Sequence, residues 1–550
     1  MNILLAIGAF ALVACGSSKS RTPSEPIEMQ LARKVKFDIT ATAPSSDYQP
    51  LAVAQATVGK PMWNEEPGTP PQCYAKTEGK SNPCASCHTH STPPNFADDW
   101  ELQQNYSFTD YARVNHWKNQ FRERSEVVAK LSDSDVLAYV RRDNYKPLQA
   151  WFAANAKAPG WHPDLDFARG FDAEGFASDN SGWRALRYKP FVGAFWATNG
   201  STDDVFVRLP TAFQQTSTGE SSRAIYRTNL AILEAAITAN PDVPIASLAR
   251  EIESIDETAG GIDLDGDGKL AIATTIVGLP AHYAGGAVAV AVTRSLYPRG
   301  VEFLHTVRYL DPEGPGFRAL RMKEVRYSTK TGFLADRDIA KAYADLELAE
   351  PPAMTGNALV GMMNAQTWQL QAYIEDGNGW LRKQSEEETQ FCMGCHSNVG
   401  INVDQTFALA RKVPGLPGWR PQDPTGIPDV PQVGHTVGEY AEYLRRTGHG
   451  DAFGVNSELA ARYLHDGAVD PAKPTEVADL AHFVLPSRDR AAALDRAYLA
   501  NVIEQSYVWG REAITSPVKA VHDEIRERST GIGESDRLAR ETRMQLAWPR

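Results

Sequence analysis

A chain of 550 residues is long enough for more than one hydrophobic core, and its 42% hydrophobic and 23% charged residues exclude a fibrous or mainly disordered polymer. With 68 acidic against 56 basic residues, a formal net charge of −12, it has no electrostatic footprint for nucleic acid and favours a partner with a basic face. The short basic clusters Arg141-Arg142 and Arg445-Arg446 are interleaved with acids and read as solvated surface.

The chain opens with an apolar run, Ile3 to Val13, too short to span a bilayer as a helix. It ends in Leu12-Val13-Ala14-Cys15 and is followed by Gly16-Ser17-Ser18, a small residue before a cysteine. Residues 1–15 resemble a lipoprotein signal peptide, with Asn2 where such signals normally carry Lys or Arg. The resemblance implies that Cys15 becomes the acylated first residue of an exported protein. The lipid would hold it in the cell envelope, with the outer membrane facing the periplasm the expected place. Residues 16–60, mixing Ser, Pro, Thr and Ala, have the composition of a tether.

Residues 61–180 contain Cys84-Ala85-Ser86-Cys87-His88, within the Pro-, Gly- and Asn-rich stretch Trp63 to Pro94, so this motif is expected on a short helix between loops. Ser132 and Asp135 form a capping-box pattern, and Val136, Leu137 and Val140 follow at helical spacing, predicting a helix from Ser132 to Arg142. Residues 181–340 read as a mixed α/β region. Residues 185–188, 204–209 and 301–309 are β-rich, Met322 to Tyr327 with Gly332 to Leu334 suggests a hairpin, and Ser222 to Thr238 is helical.

The same region holds Asp263-Leu264-Asp265-Gly266-Asp267-Gly268-Lys269, with carboxylates at positions one, three and five and glycine at six, the first half of a calcium loop. Position twelve is Thr274 rather than Glu, so other oxygens, from Asp256 or Glu257, would have to complete the shell. The competing reading is an Asp-Gly turn without an ion. Residues 341–550 carry Cys392-Met393-Gly394-Cys395-His396, a Pro/Gly-rich loop from Pro414 to Gly434, and helical patterns over 439–446, 476–484 and 490–512.

Two copies of C-x-x-C-H suit covalent haem attachment. Two thiols one turn apart reach two vinyl groups, and the adjacent imidazole supplies the proximal iron ligand. A thioredoxin-like dithiol or a zinc ribbon explains neither His88 nor His396, and positions 84–87 and 392–395 are far outside zinc-ribbon spacing. With Cys15 lipidated, Cys73 alone is left over, either an iron ligand, an intermolecular bridge or an inert buried thiol.

On these motifs the chain resembles bacterial di-haem c-type cytochromes. The resemblance implies two haem c groups, proximal ligands His88 and His396, and electron transfer to a periplasmic or membrane redox partner. Two alternatives stand beside it, a di-haem peroxidase or oxygenase with one open site, and a haem-bearing interaction module of an envelope complex. The fold class expected is α+β, with mainly helical haem-bearing regions at both ends and a β-containing middle. For a distal ligand, His305 leads because its strand face also carries Val301, Phe303, Val307 and Tyr309. His282, His90, His116, His162, His435, Met362 and Met363 are weaker choices.

Overall fold

The computed structural model describes residues 25–32, 36–64, 66, 68–95, 97–346, 354–397, 399–448, 451–466, 468–470, 472–477, 479–538 and 543–548. Among them the dominant element is an eight-stranded antiparallel sheet. Its strands are β1 (Arg184–Leu186), β2 (Thr202–Arg208), β5 (Glu302–Leu310), β6 (Arg318–Lys330), β7 (Thr355–Asn357), β8 (Gly361–Met363), β9 (Trp368–Glu375) and β10 (Leu381–Lys383). They run in the order β1-β2-β5-β6-β9-β8-β7, and β10 pairs with β9. A separate hairpin, β3 (Ala249–Asp256) with β4 (Ile272–Val277), encloses the Asp-rich loop.

Both faces of the sheet are covered. On one, Val205, Val207, Phe303 and Leu370 pack with the helix Arg223–Thr238, whose first turn is capped by the Ser222 hydroxyl. That helix is buried on nearly every side. Its polar residues are satisfied accordingly, Glu234 by Lys412 at 2.7 Å and Asn229 by two carbonyls. On the other face Phe206, Leu304, Val325 and Tyr373 pack with the helix Tyr145–Ala154 and with Trp161 and Trp183. Alternation along β5 and its neighbours therefore places Phe303, His305 and Val307 on one side and Leu304 and Thr306 on the other.

The architecture is a mixed α+β fold, but the expectation of mainly helical regions at both ends is corrected. Around the first motif the chain makes single tight turns, Pro71–Tyr74, Pro83–Ser86, Trp100–Gln103 and Lys118–Phe121, because its Pro and Asn residues interrupt longer helices. Strand structure also extends past the middle, since β7 to β10 complete the sheet from residues 355–383. The expected hairpin at 322–334 is instead one long strand, β6, that pairs with β5 on one side and β9 on the other.

The last part of the chain closes over the first motif region. Isolated bridges join Ala75 to Val521, Val114 to Glu524 and Asn105 to Ser529. The helix at 132–142 is observed as Asp133–Val140 with Ser132 as its cap, and the long C-terminal helix as Arg488–Glu504.

Candidate functional site

Both C-x-x-C-H motifs fold into the same backbone turn. At the first, Asn82 caps the turn by accepting from Ala85 N at 3.1 Å, and Cys87 N and His88 N both donate to the Cys84 carbonyl, at 3.1 and 2.9 Å. At the second, a helix Glu386–Gln390 with a Ser385/Glu388 capping box delivers the chain to Phe391–Gly394. There Cys395 N and His396 N donate to the Cys392 carbonyl at 3.2 and 3.0 Å. Each turn presents two thiols and the following imidazole together.

Each imidazole is held through Nδ1. His88 Nδ1 lies 2.9 Å from Asp99 Oδ2, and His396 Nδ1 lies 2.8 Å from the Gln405 carbonyl oxygen. Both partners accept, so the proton sits on Nδ1 and Nε2 is left with its lone pair free to bind a metal. Burial pulls the His396 imidazole down to about 4 against the Gln405 hydrogen bond, and the charges of Arg326 and His305 act the same way. Gln103 Nε2 donates to the His88 carbonyl at 2.7 Å and Asn364 Nδ2 to that of His396 at 3.0 Å, fixing both backbones.

The two motifs, distant in sequence, meet in space. Gly400 N, just beyond the second motif, donates to Asp99 Oδ1 at 3.1 Å, the same carboxylate that holds His88. Asn95 Nδ2 donates to the Val399 carbonyl at 3.0 Å, and Trp117 packs on Phe391 with ring centroids 4.4 Å apart. The thiols of Cys73, Cys87 and Cys395 are close enough to perturb one another electrostatically.

All five described cysteines are free thiols. Burial raises Cys84 to about 12 and Cys395 to about 11, and it lifts Cys73, Cys87 and Cys392 as well. Neutral buried thiols lack the raised acidity on which dithiol exchange enzymes depend. Nor do they converge on one ion, since among the described residues the one group placed to hold a metal is Glu257, Asp263 and Asp265. Beside the first motif the buried Thr89 hydroxyl and Trp100 indole N–H have no hydrogen-bond partner among the described residues, which suits an additional polar group there. The thiol pairs, the free Nε2 atoms and these orphaned donors fit thioether-bound haem.

The sheet supplies a polar patch to the second motif. His305 on β5 is directly opposite Arg326 on β6, and its Nε2 lies 3.1 Å from Asp203 Oδ2, which also accepts from the Tyr188 hydroxyl. Phe195 packs edge-on against His305 at 4.9 Å and lies under Arg326 at 5.3 Å. Glu324 accepts from Arg326 at 2.9 Å and from Arg511 at 3.0 Å. Arg326 and Arg511 are both felt electrostatically at Cys392.

A lipoprotein family model, described as "-like lipoprotein", matches residues 57–474, a span that includes both motifs. An "Uncharacterized lipoprotein" of Aquifex aeolicus (strain VF5) is 31% identical over 557 residues, covering 88% of this chain and 93% of that protein. The chain belongs to this lipoprotein family. No solved structure matches it. Membership corrects the resemblance to di-haem c-type cytochromes, because the family model that spans the two motifs is that of a lipoprotein family. The protein is accordingly an exported, lipid-anchored envelope protein, and Cys15, the expected lipidation site, lies outside the described residues.

Within this lipoprotein the other sequence-derived residues scatter. His90 pairs with Asp98 at 2.8 Å, His116 stacks on Tyr111, and His162 bonds the Ala158 carbonyl. His282 is exposed, while Met362, on β8, is buried in the core. His435 lines a shallow cleft together with Tyr443 and with Ala85 and Ser86 of the first motif. In the Asp-rich loop, carboxylate oxygens of Glu257, Asp263 and Asp265 lie within 4.8 Å of one another, whereas Asp267 turns to accept from Lys269 N at 2.8 Å. Asp99, Gln103, Gln405 and Arg326 escaped sequence reasoning. Asp99 is a loop carboxylate shortly after His88, and that was its one visible signal.

Proposed function

We propose that this lipoprotein carries two haems, joined by thioethers at Cys84/Cys87 and Cys392/Cys395, and passes electrons between redox partners in the periplasm or at the outer membrane. In attachment each S–H adds across a vinyl group, sulfur to one carbon and hydrogen to the other, with nothing leaving. Bound haem iron supplies one-electron chemistry, alternating between ferrous and ferric states.

The observation that carries this reading is the pair of identical turns, each offering two neutral thiols and an imidazole with its Nε2 unengaged. Asp99 and Gln405 orient His88 and His396 as proximal ligands by holding Nδ1–H. The contact between the motifs supports transfer within the chain, because it keeps the two sites adjacent. His305 is the proposed distal ligand at the second site, on the support of its shared sheet face with Arg326 and its electrostatic effect on His396. The Glu257, Asp263 and Asp265 carboxylates are proposed to hold a structural calcium ion.

Anaerobic reductive titration of the purified protein, followed by absorption, tests the reading. Two electrons per chain, with low-spin spectra in both states, is the expected result. A chain that takes up no electrons overturns it, and high-spin sites that readily bind peroxide or oxygen replace the carrier with an oxidoreductase.

A further inference from the structure

The two sites resemble each other in backbone but differ in the charge around the iron-binding imidazole. His88 gives its Nδ1–H to a carboxylate, Asp99, at 2.9 Å, whereas His396 gives its own to a neutral carbonyl, Gln405, at 2.8 Å. A carboxylate partner draws the proton, loads the ring with negative charge and makes Nε2 a stronger donor, which favours ferric iron. A carbonyl does this less. Asp99 is also fixed on its other side, where Gly400 N donates to it, so it cannot swing away from His88.

The surroundings of the second site act in the opposite direction. Arg326 is felt at Cys392, Cys395 and His396, and Arg511 at Cys392. One carboxylate, Glu324, serves both guanidinium groups, at 2.9 Å to Arg326 and 3.0 Å to Arg511, leaving a net positive charge beside the second motif. Positive charge in a partly buried site disfavours the extra positive charge of ferric iron and so favours reduction. At the first motif the charge that faces the imidazole is the opposite one, the Asp99 carboxylate, which is felt at Cys87 as well.

We propose that Asp99 is a positioning residue that makes the His88 site the lower-potential half of a coupled pair, so that electrons enter at the first motif and run to the second beside Arg326. This rests on the reading that both motifs carry haem. The step is a one-electron exchange in which the His88 site is oxidised as the His396 site is reduced. No bond is made or broken. A one-electron donor protein outside the chain resupplies the first site and an acceptor drains the second.

The test is potentiometric titration of the holoprotein and two variants. Wild type is expected to show two separated waves, and a variant with Cys84→Ala and Cys87→Ala only the upper one. Asp99→Asn keeps the shape and an oxygen for Gly400 N but removes the charge. It should raise the lower wave by at least tenfold in equilibrium constant, ~59 mV for one electron, leaving the upper wave in place. Arg326→Gln should move the upper wave down and leave the lower one, which keeps the proposal testable if the first variant folds poorly. Wild-type waves that coincide, a lower wave that survives the cysteine replacements, or an Asp99→Asn titration that shifts neither wave overturns the assignment while leaving haem attachment intact. No waves in a wild-type chain that lacks haem overturns the underlying function instead.

Discussion

Lys383 on β10 is fully buried against Tyr373, with its ammonium 2.6 Å from Gln371 Oε1 and no carboxylate beside it. Burial lowers it from 10.5 to about 7. The unfolded chain keeps the ordinary value, so between pH 10.5 and 7 the unfolded state binds more protons than the folded one, and stability must fall as pH falls through that window. The displacement corresponds to about 4–5 kcal/mol. Lys383→Met retains the buried stem and removes the titration, at the loss of a hydrogen bond worth about 1 kcal/mol. Gln371 Oε1 is not orphaned, since it also accepts from Trp161 N at 2.8 Å. Denaturant unfolding from pH 7 to pH 10 should show the variant more stable than wild type at pH 7 by roughly 3–4 kcal/mol, with the advantage shrinking steadily toward pH 10. A difference independent of pH would show that Lys383 does not lose its proton on folding.

Three further outcomes are expected. His305→Ala should convert one haem from low-spin to high-spin, and an unchanged absorption spectrum would remove His305 as a ligand. Gly400→Ala would drive a Cβ into the Thr89 carbonyl and the Asp99 carboxylate, so thermal unfolding should show a loss of about 1–3 kcal/mol; no loss means the two motifs do not pack as described. Chelation, and Asp265→Ala, should lower the melting temperature by removing an ion worth about 3 kcal/mol at a hundredfold excess over its dissociation constant. An unchanged melting temperature, with no calcium by elemental analysis, would leave the loop as a simple turn.

The two C-x-x-C-H motifs were legible because their pattern is local to five residues, and the strands at 202–208 and 302–310 because of their β-branched and aromatic residues. Strand β6 was not read at its full length. Its Arg321, Lys323, Glu324 and Arg326 look like surface, yet Arg321 is buried on Glu375 at 2.7 Å and Glu324 is shared by Arg326 and Arg511. A hydropathy pattern cannot see ion pairs that form only after folding. The mainly helical character expected of the first motif's region failed because Pro71, Pro83 and Asn82 favour single turns. The meeting of the motifs, and with it the role of Asp99, depends on contacts between residues remote in sequence, for which one chain supplies no pattern.

Intact-mass measurement of the denatured protein decides whether haem is covalently held at both motifs, because thioether bonds survive unfolding where iron coordination does not. The wild-type chain should carry the mass of two haems, and a variant with Cys84→Ala and Cys87→Ala the mass of one. A denatured wild-type chain with the mass of polypeptide and lipid alone would show that neither motif holds haem.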